Sequence, residues 1–357
     1  MDGRRGFVRQ TLGLLGASAL GVGLPERSRA SDQTVHDWVA SPPLGFSPLQ
    51  RPGVVVKAEC RGDFASMMQP NLLWPKPEVG RRVLESALTA FTGEASLPRA
   101  LGRFVHPSDR VALKLNGIAG QRGYTMAFNF ELTLPLIEGL MSLGVPAENI
   151  TIFEQRYSFL RGGRITIDGY ELPHGVKIGV HNNHDAEMSP IAIYNGIPTR
   201  FVRQVTQASA IIDLTMMKDH SICGFTGALK NMTHGQIVNP HDHHAHQCNP
   251  QIAMIYNHPI LTSRVRLHIS DAFKIIYEGG PLDTDPARRV PHGAVYVATD
   301  PVALDTVGTQ VIETERREHG LPGLAAVGRE PAYVRSAGEL GLGVHDLNQI
   351  RLQSVTV

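Results

Sequence analysis

Arg110-Val111-Ala112-Leu113-Lys114-Leu115 and Ile150-Thr151-Ile152-Phe153 are short alternating or β-branched runs bounded by turn residues, which is how strands read. Between them, residues 129–143 read as a helix stopped by Gly144. Strand, helix and strand in succession form a parallel crossover unit. The pattern continues outward. Val54-Val55-Val56-Lys57 reads as a strand, and residues 78–91 carry Val79, Val83, Leu84, Leu88 and Phe91 at helical spacing. Residues 201–208 read as helix, 210–214, 266–269 and 294–298 as strands, and 301–317 as helix. With no repeat of fixed period, this alternation predicts an α/β three-layer sandwich around a mostly parallel or mixed sheet. Residues 156–198, richer in Gly, Asn, His and short strand-like runs, read as an inserted β-rich segment.

The ends read differently. Arg4-Arg5-Gly6-Phe7, an apolar run over 12–24 and Ser28-Arg29-Ala30 make the three parts of a signal peptide, cut near Ala30. The paired arginines resemble the twin-arginine export signal, an address read by the translocase. The competing reading, an N-terminal anchor, is disfavoured because the run falls short of the ~20 apolar residues that span a bilayer. The expectation is therefore an exported, periplasmic protein with no stable membrane span. Residues 31–53, with Pro42, Pro43, Pro48 and Pro52, read as a linker or strap before the domain at 54–357.

The 357 residues are 42% hydrophobic and carry 34 basic against 33 acidic side chains. That balance gives no nucleic-acid footprint and points to a small molecule as partner. Cys60, Cys223 and Cys248 are spread over the chain and offer no iron–sulfur or paired-cysteine metal signature.

In doubly wound sheets, ligands sit beyond the carboxyl ends of the strands. That rule picks out Lys114 with Asn116, Glu154, Lys218 with His220, and Asp300. The densest stretch is Lys218-Asp219-His220-Ser221-Ile222-Cys223-Gly224-Phe225-Thr226-Gly227-Ala228-Leu229-Lys230-Asn231. It reads as a glycine-bracketed turn entering a helix near Thr226, whose free N–H groups suit a small anionic ligand. Lys114, Asn116, Gly224, Thr226, Gly227, Lys230 and Asn231 are the expected binding residues, and Lys218, His220 and Asp271 the expected catalytic ones. The bland alternative is a plain turn with surface lysines.

A second constellation is His234, His241, His243, His244 and His246, with Asp242 and Cys248 among them. Imidazoles and a thiolate are ligands of divalent transition metals. The flanking Asn239-Pro240 and Asn249-Pro250 pairs make this a loop that could wrap an ion. The alternative is a solvated polar loop. Asp300 before Pro301 doubles as a helix N-cap, and Asp305 lies one turn on.

The Lys218–Asn231 motif, Ala298-Thr299-Asp300-Pro301-Val302-Ala303-Leu304-Asp305 and the strand ending at Asn116 together resemble the family catalogued as domain of unknown function 362. Leu115 stands where that family has proline. The resemblance covers roughly 54–315 and implies no settled activity. Some relatives carry ferredoxin-type modules, whose cysteines this chain lacks. Two functions follow as expectations: an enzyme acting on an anionic molecule, and a non-catalytic protein that sequesters or delivers a metal or cofactor.

Overall fold

The computed structural model describes residues 38–120 and 126–357; the signal-peptide reading of residues 1–30 lies outside them. Eleven strands are present among these residues: β1 Val54–Glu59, β2 Val111–Lys114, β3 Ile150–Glu154, β4 Lys177–Val180, β5 Ile191–Ala192, β6 Pro198–Thr199, β7 Ala210–His220, β8 Gly224–Thr226, β9 Val265–Ile276, β10 Arg289–Ala298 and β11 Arg351–Thr356. Nine form one sheet in the order β11-β1-β10-β9-β7-β2-β3-β4, with β8 paired to β7. Along that path only the β1–β10 and β10–β9 pairings are antiparallel, the rest being parallel.

Helices cover both faces, so the molecule is the three-layer α/β arrangement that the alternating sequence predicts. On one face, α1 (Pro77–Thr92) and α2 (Phe130–Leu143) pack Val83, Leu88, Leu136 and Leu140 against Val56, Leu113, Ile152, Ile212 and Leu214 of the sheet. On the other, α3 (Ala228–Thr233) and α4 (Gln251–Tyr256) pack Leu229, Met232 and Ile252 against Ala112, Phe153 and Ile211. The period-2 alternation of a strand explains the division: Ile212 and Leu214 point one way, Ile211 and Asp213 the other. Next to them α5 (Pro301–Glu318) lays Ala303, Leu304 and Val307 on Val55, Tyr296 and Ala298.

Two differences from the sequence reading bear on the site. β7 and β9 run well past the apolar cores at 210–214 and 266–269, reaching His220 and Ile276, and are buried along nearly their whole length. Charged residues that read as strand ends therefore sit inside central strands. The β-rich segment divides: β4 extends the main sheet parallel to β3, and β5 pairs with β6 as a separate antiparallel ribbon.

Candidate functional site

A pocket of about 370 Å³ opens beyond the carboxyl ends of β2, β3 and β7, roofed by α3 and the loop that follows it. Lys114, Asn116, Glu154, His220, Thr226, Lys230, Asn231, His234, His241 and His244 all contribute to its wall. The parallel strands place the first four, because a residue at the carboxyl end of one strand neighbours the corresponding residue of the next.

The floor is a continuous hydrogen-bonded network. Lys218 Nζ donates to Asn116 Oδ1 at 2.7 Å, and Asn116 Nδ2 donates to Asn231 Oδ1 at 3.2 Å. Lys114 Nζ reaches the same Asn231 oxygen at 3.2 Å and Glu154 Oε1 at 3.2 Å. Asn231 Nδ2 in turn donates to Asp213 Oδ1 at 2.6 Å. Asp213 is held from behind by His268 Nδ1 at 2.8 Å, and the other nitrogen of that ring meets Tyr256 Oη at 3.1 Å. These partners set the orientation of the Asn231 amide, oxygen toward Lys114 and Asn116 and nitrogen toward Asp213. Buried networks of this kind hold side chains rigidly when fully satisfied. Sequence reasoning missed Asp213 and His268. The available signal was a carboxylate in the apolar run Ala210-Ile211-Ile212-Asp213-Leu214, which demands a buried partner.

Electrostatics set the protonation states. Burial pushes Lys218 down to about 7, Glu154 opposing and the two neighbouring lysines assisting. Burial, reinforced by Lys230, holds His220 and His234 well below the ordinary imidazole range. His244 falls to about 4 from the same two causes. All three rings are neutral at neutral pH, and their hydrogen bonds assign the tautomers. His220 Nδ1 accepts from the backbone N–H groups of Ile222 and Cys223 at 3.1 and 3.3 Å, leaving its proton on Nε2. His244 Nδ1 donates to Pro240 O at 2.8 Å and His234 Nε2 to His243 O at 3.2 Å. His220 has spent its lone pair on those two N–H groups, while the acceptor nitrogens of the other two rings face only side chains, Thr233 Oγ1 at 3.2 Å from His234 Nδ1 and Lys230 Nζ at 3.5 Å from His244 Nε2.

Those acceptor nitrogens, His234 Nδ1 and His244 Nε2, belong to rings packed edge to face at 4.6 Å. One nitrogen of each lies within 4.8 Å of the other and of Cys248 Sγ, a group that can hold a metal ion. Backbone carbonyls fixing the far nitrogen are the usual support of a metal-binding histidine, so the residues fit a divalent ion. The Cys223 thiol donates to Phe225 O at 3.4 Å; its proximity draws the Cys248 thiol below its ordinary value, while burial pushes Cys223 well above it. Cys248 closes a run of three non-glycine residues, His246, Gln247 and Cys248, at φ 51°, 57° and 64°. Left-handed backbone costs such residues roughly 1–2 kcal/mol each.

The loop histidines do not all converge. His243 is buried with Nε2 against Thr199 Oγ1 at 2.8 Å, and His246 is exposed. His241 lies at the pocket rim, its ring 6.2 Å from that of His244. The gathered set is His234, His244 and Cys248.

The structure redirects three further expectations. The glycine turn is not an anion seat, because Asp305 already fills it: its carboxylate accepts from Ala228 N at 2.6 Å and Leu229 N at 3.0 Å. A Cβ on Gly227 would lie 2.1 Å from Asp305 Oδ1, and one on Gly224, at φ +75°, would lie 1.8 Å from Arg329 O. Both glycines serve packing. Nor is Asp271 at the pocket. It lies within β9, where Asn129 N and Nδ2 donate to it at 2.8 and 2.7 Å, and burial raises it to about 6. Asp300 sits elsewhere because β10 runs antiparallel to its neighbours, so its carboxyl end lies at the opposite edge of the sheet. There Asp300 caps α5 through Ala303 N and binds Gly53 N and Val344 N at 2.8–3.0 Å. Thr226 does line the pocket, with its hydroxyl unpartnered among the described residues.

The model of the family described as Domain of unknown function (DUF362) matches residues 111–310. No curated protein matches the chain. Seven solved chains do. One is the lactate racemase apoprotein from Thermoanaerobacterium thermosaccharolyticum, at 9% identity and a TM-score of 0.34 over 68% of this chain. The match spans about half, 54%, of that protein's length. Among the described residues no helix is long and apolar enough to cross a membrane.

Proposed function

This chain belongs to the DUF362 family, whose description carries no activity, and on the chemistry of its pocket we propose that it is an exported enzyme acting on a small anionic molecule with the help of a divalent transition metal. The observation that carries the reading is Lys230. It is 8% exposed, faces the pocket, and has no carboxylate partner among the described residues. A buried ammonium without a counter-charge is costly, and an anionic ligand supplies one. The rest of the wall agrees, with Lys114 and Arg156 set against Glu154 alone.

Lys230 and Lys114 take the charge of the substrate, and Asn116 and Asn231 orient it. His220, neutral with its proton on Nε2, donates a hydrogen bond to the bound molecule, and Lys218, poised near 7, is the buried amine that changes protonation at working pH and so gives or takes the proton. His234, His244 and Cys248 would hold the metal, which supplies Lewis acidity. Export by the twin-arginine translocase, which carries folded protein, suits a chain that acquires its metal in the cytoplasm.

Metal analysis of untagged protein from its own periplasm tests the reading. One equivalent per chain is expected, lost in His244→Ala and in Cys248→Ser and retained in His246→Ala. A metal-free wild-type protein would overturn it.

A further inference from the structure

The lone pair that a metal would take from His244 is already engaged. His244 Nδ1 donates to Pro240 O, so Nε2 is the acceptor nitrogen, and Lys230 Nζ lies 3.5 Å from it. Lys230 and His234 sit one helical turn apart, His234 N donating to Lys230 O at 3.1 Å. The ammonium is therefore fixed beside two of the three prospective ligands, and among the described residues it has no other hydrogen-bonding partner.

From this contact we infer that metal binding and anion binding in the pocket are positively coupled through Lys230, and that the anion is an oxyanion bridging the metal and the lysine. The inference rests on the metal-assisted reading above. A divalent ion at His244 Nε2 displaces the ammonium and leaves two like-signed charges within a few ångströms in a buried setting, which opposes binding strongly. Lys230 has one direction in which to move, into the pocket that it already lines. An oxyanion there accepts from Lys230 with one oxygen and meets the ion with another. Two imidazoles and one thiolate leave a fourth position on a tetrahedral ion, and His234 and His244 both belong to the pocket wall, so that position faces the anion. The unpartnered hydroxyl of Thr226 is a further donor on the same wall. The class of ligand this selects is a small multi-oxygen anion, a carboxylate or a phosphate or sulfate ester. An apolar or cationic molecule is excluded by the same charges.

Binding free energies are reciprocal, so each ligand must raise the affinity of the other by the same factor. The test uses the metal-stripped mature chain, zinc and inorganic sulfate in titration calorimetry. Saturating sulfate is expected to tighten zinc binding at least tenfold, and saturating zinc to tighten sulfate by an equal factor. Lys230→Met is expected to bind zinc more tightly than wild type without sulfate and to lose the coupling. Lys230→Gln, which keeps a polar group, guards against a packing defect and should also lose it, with melting temperature confirming that both variants fold. Zinc that binds wild type equally well with and without sulfate, or coupling that survives in folded Lys230→Met, overturns the inference while leaving the metal site standing. A wild-type chain that binds no zinc, cobalt or nickel removes the metal reading and this inference with it.

Discussion

Replacing Asp305 by Ala separates a structural carboxylate from the anion seat that it occupies. In the folded chain the Asp305 carboxylate is 1% exposed and accepts two backbone N–H bonds at the start of α3, from Ala228 and Leu229. These are the orphan donors of a helix N-terminus, met by a side chain from another helix. A hydrogen bond to a charged group contributes about 1.5–3 kcal/mol, and a buried donor left unmet costs about 1–3 kcal/mol. Burial opposes the gain, since it pushes the carboxyl well above its ordinary range. The net loss in Asp305→Ala is therefore placed at about 3–4 kcal/mol, near the sum of two bonds at their lower value. At the lower end of the scaling for larger domains, about 2 °C per kcal/mol, the melting temperature drops by roughly 6–8 °C. Asp305→Asn keeps one acceptor oxygen and should lose about half as much. Because the substitution empties a space fitted to a carboxylate, formate should restore part of the lost stability in Asp305→Ala and none in wild type. The assay is thermal unfolding by far-ultraviolet circular dichroism with and without formate. A melting temperature unchanged from wild type, or formate stabilising both proteins equally, would refute the cap and restore the glycine turn as an open anion site.

The pH dependence of stability has a worked sign. Burial holds His181 and His292 at about 4 against 6.5 for the free side chain. Between those values these two side chains alone let the unfolded chain bind up to two more protons, so their contribution to stability falls as pH drops from 6.5 toward 4, by at most about 2.7 kcal/mol per unit; the lowered His220, His234, His244 and His258 add in the same direction, and Asp271, raised to about 6, opposes them. Lys218 acts on the alkaline side: held near 7 against 10.5 unfolded, it makes stability rise between those values, and Lys218→Met should flatten that rise. Urea unfolding across pH 4–10 measures both, and a flat profile contradicts the burial assigned to these groups. Export is tested by changing Arg4 and Arg5 to Lys, which should leave the precursor in the cytoplasm because the paired guanidiniums are what the translocase reads. Undiminished periplasmic protein in a fractionation blot removes the twin-arginine assignment.

What the sequence could disclose divides along the range of the interactions. The crossover unit was legible because 110–115, 129–143 and 150–153 are fixed by local periodicity, and β2, α2 and β3 fall close to those bounds. The rule about carboxyl ends then brought Lys114, Asn116, Glu154 and His220 to one pocket, since β2, β3 and β7 are parallel. It missed at Asp300 for a reason no local pattern carries, the antiparallel direction of β10. Asp271 was misplaced because polar residues were taken to end a strand, whereas β9 carries on to Ile276 with Asn129 answering the charge. The glycine turn shows the same limit in sharper form. Gly224, Gly227 and the helix after them have the local grammar of an anion site. What decides against it is Asp305, 77 positions away, reaching across from α5. Of the loop histidines, the pair that meets is the one whose far nitrogens find carbonyls, at Pro240 and His243. Composition could say that the loop was rich in ligands. Only the placement of those carbonyls decides which rings turn a lone pair toward Cys248.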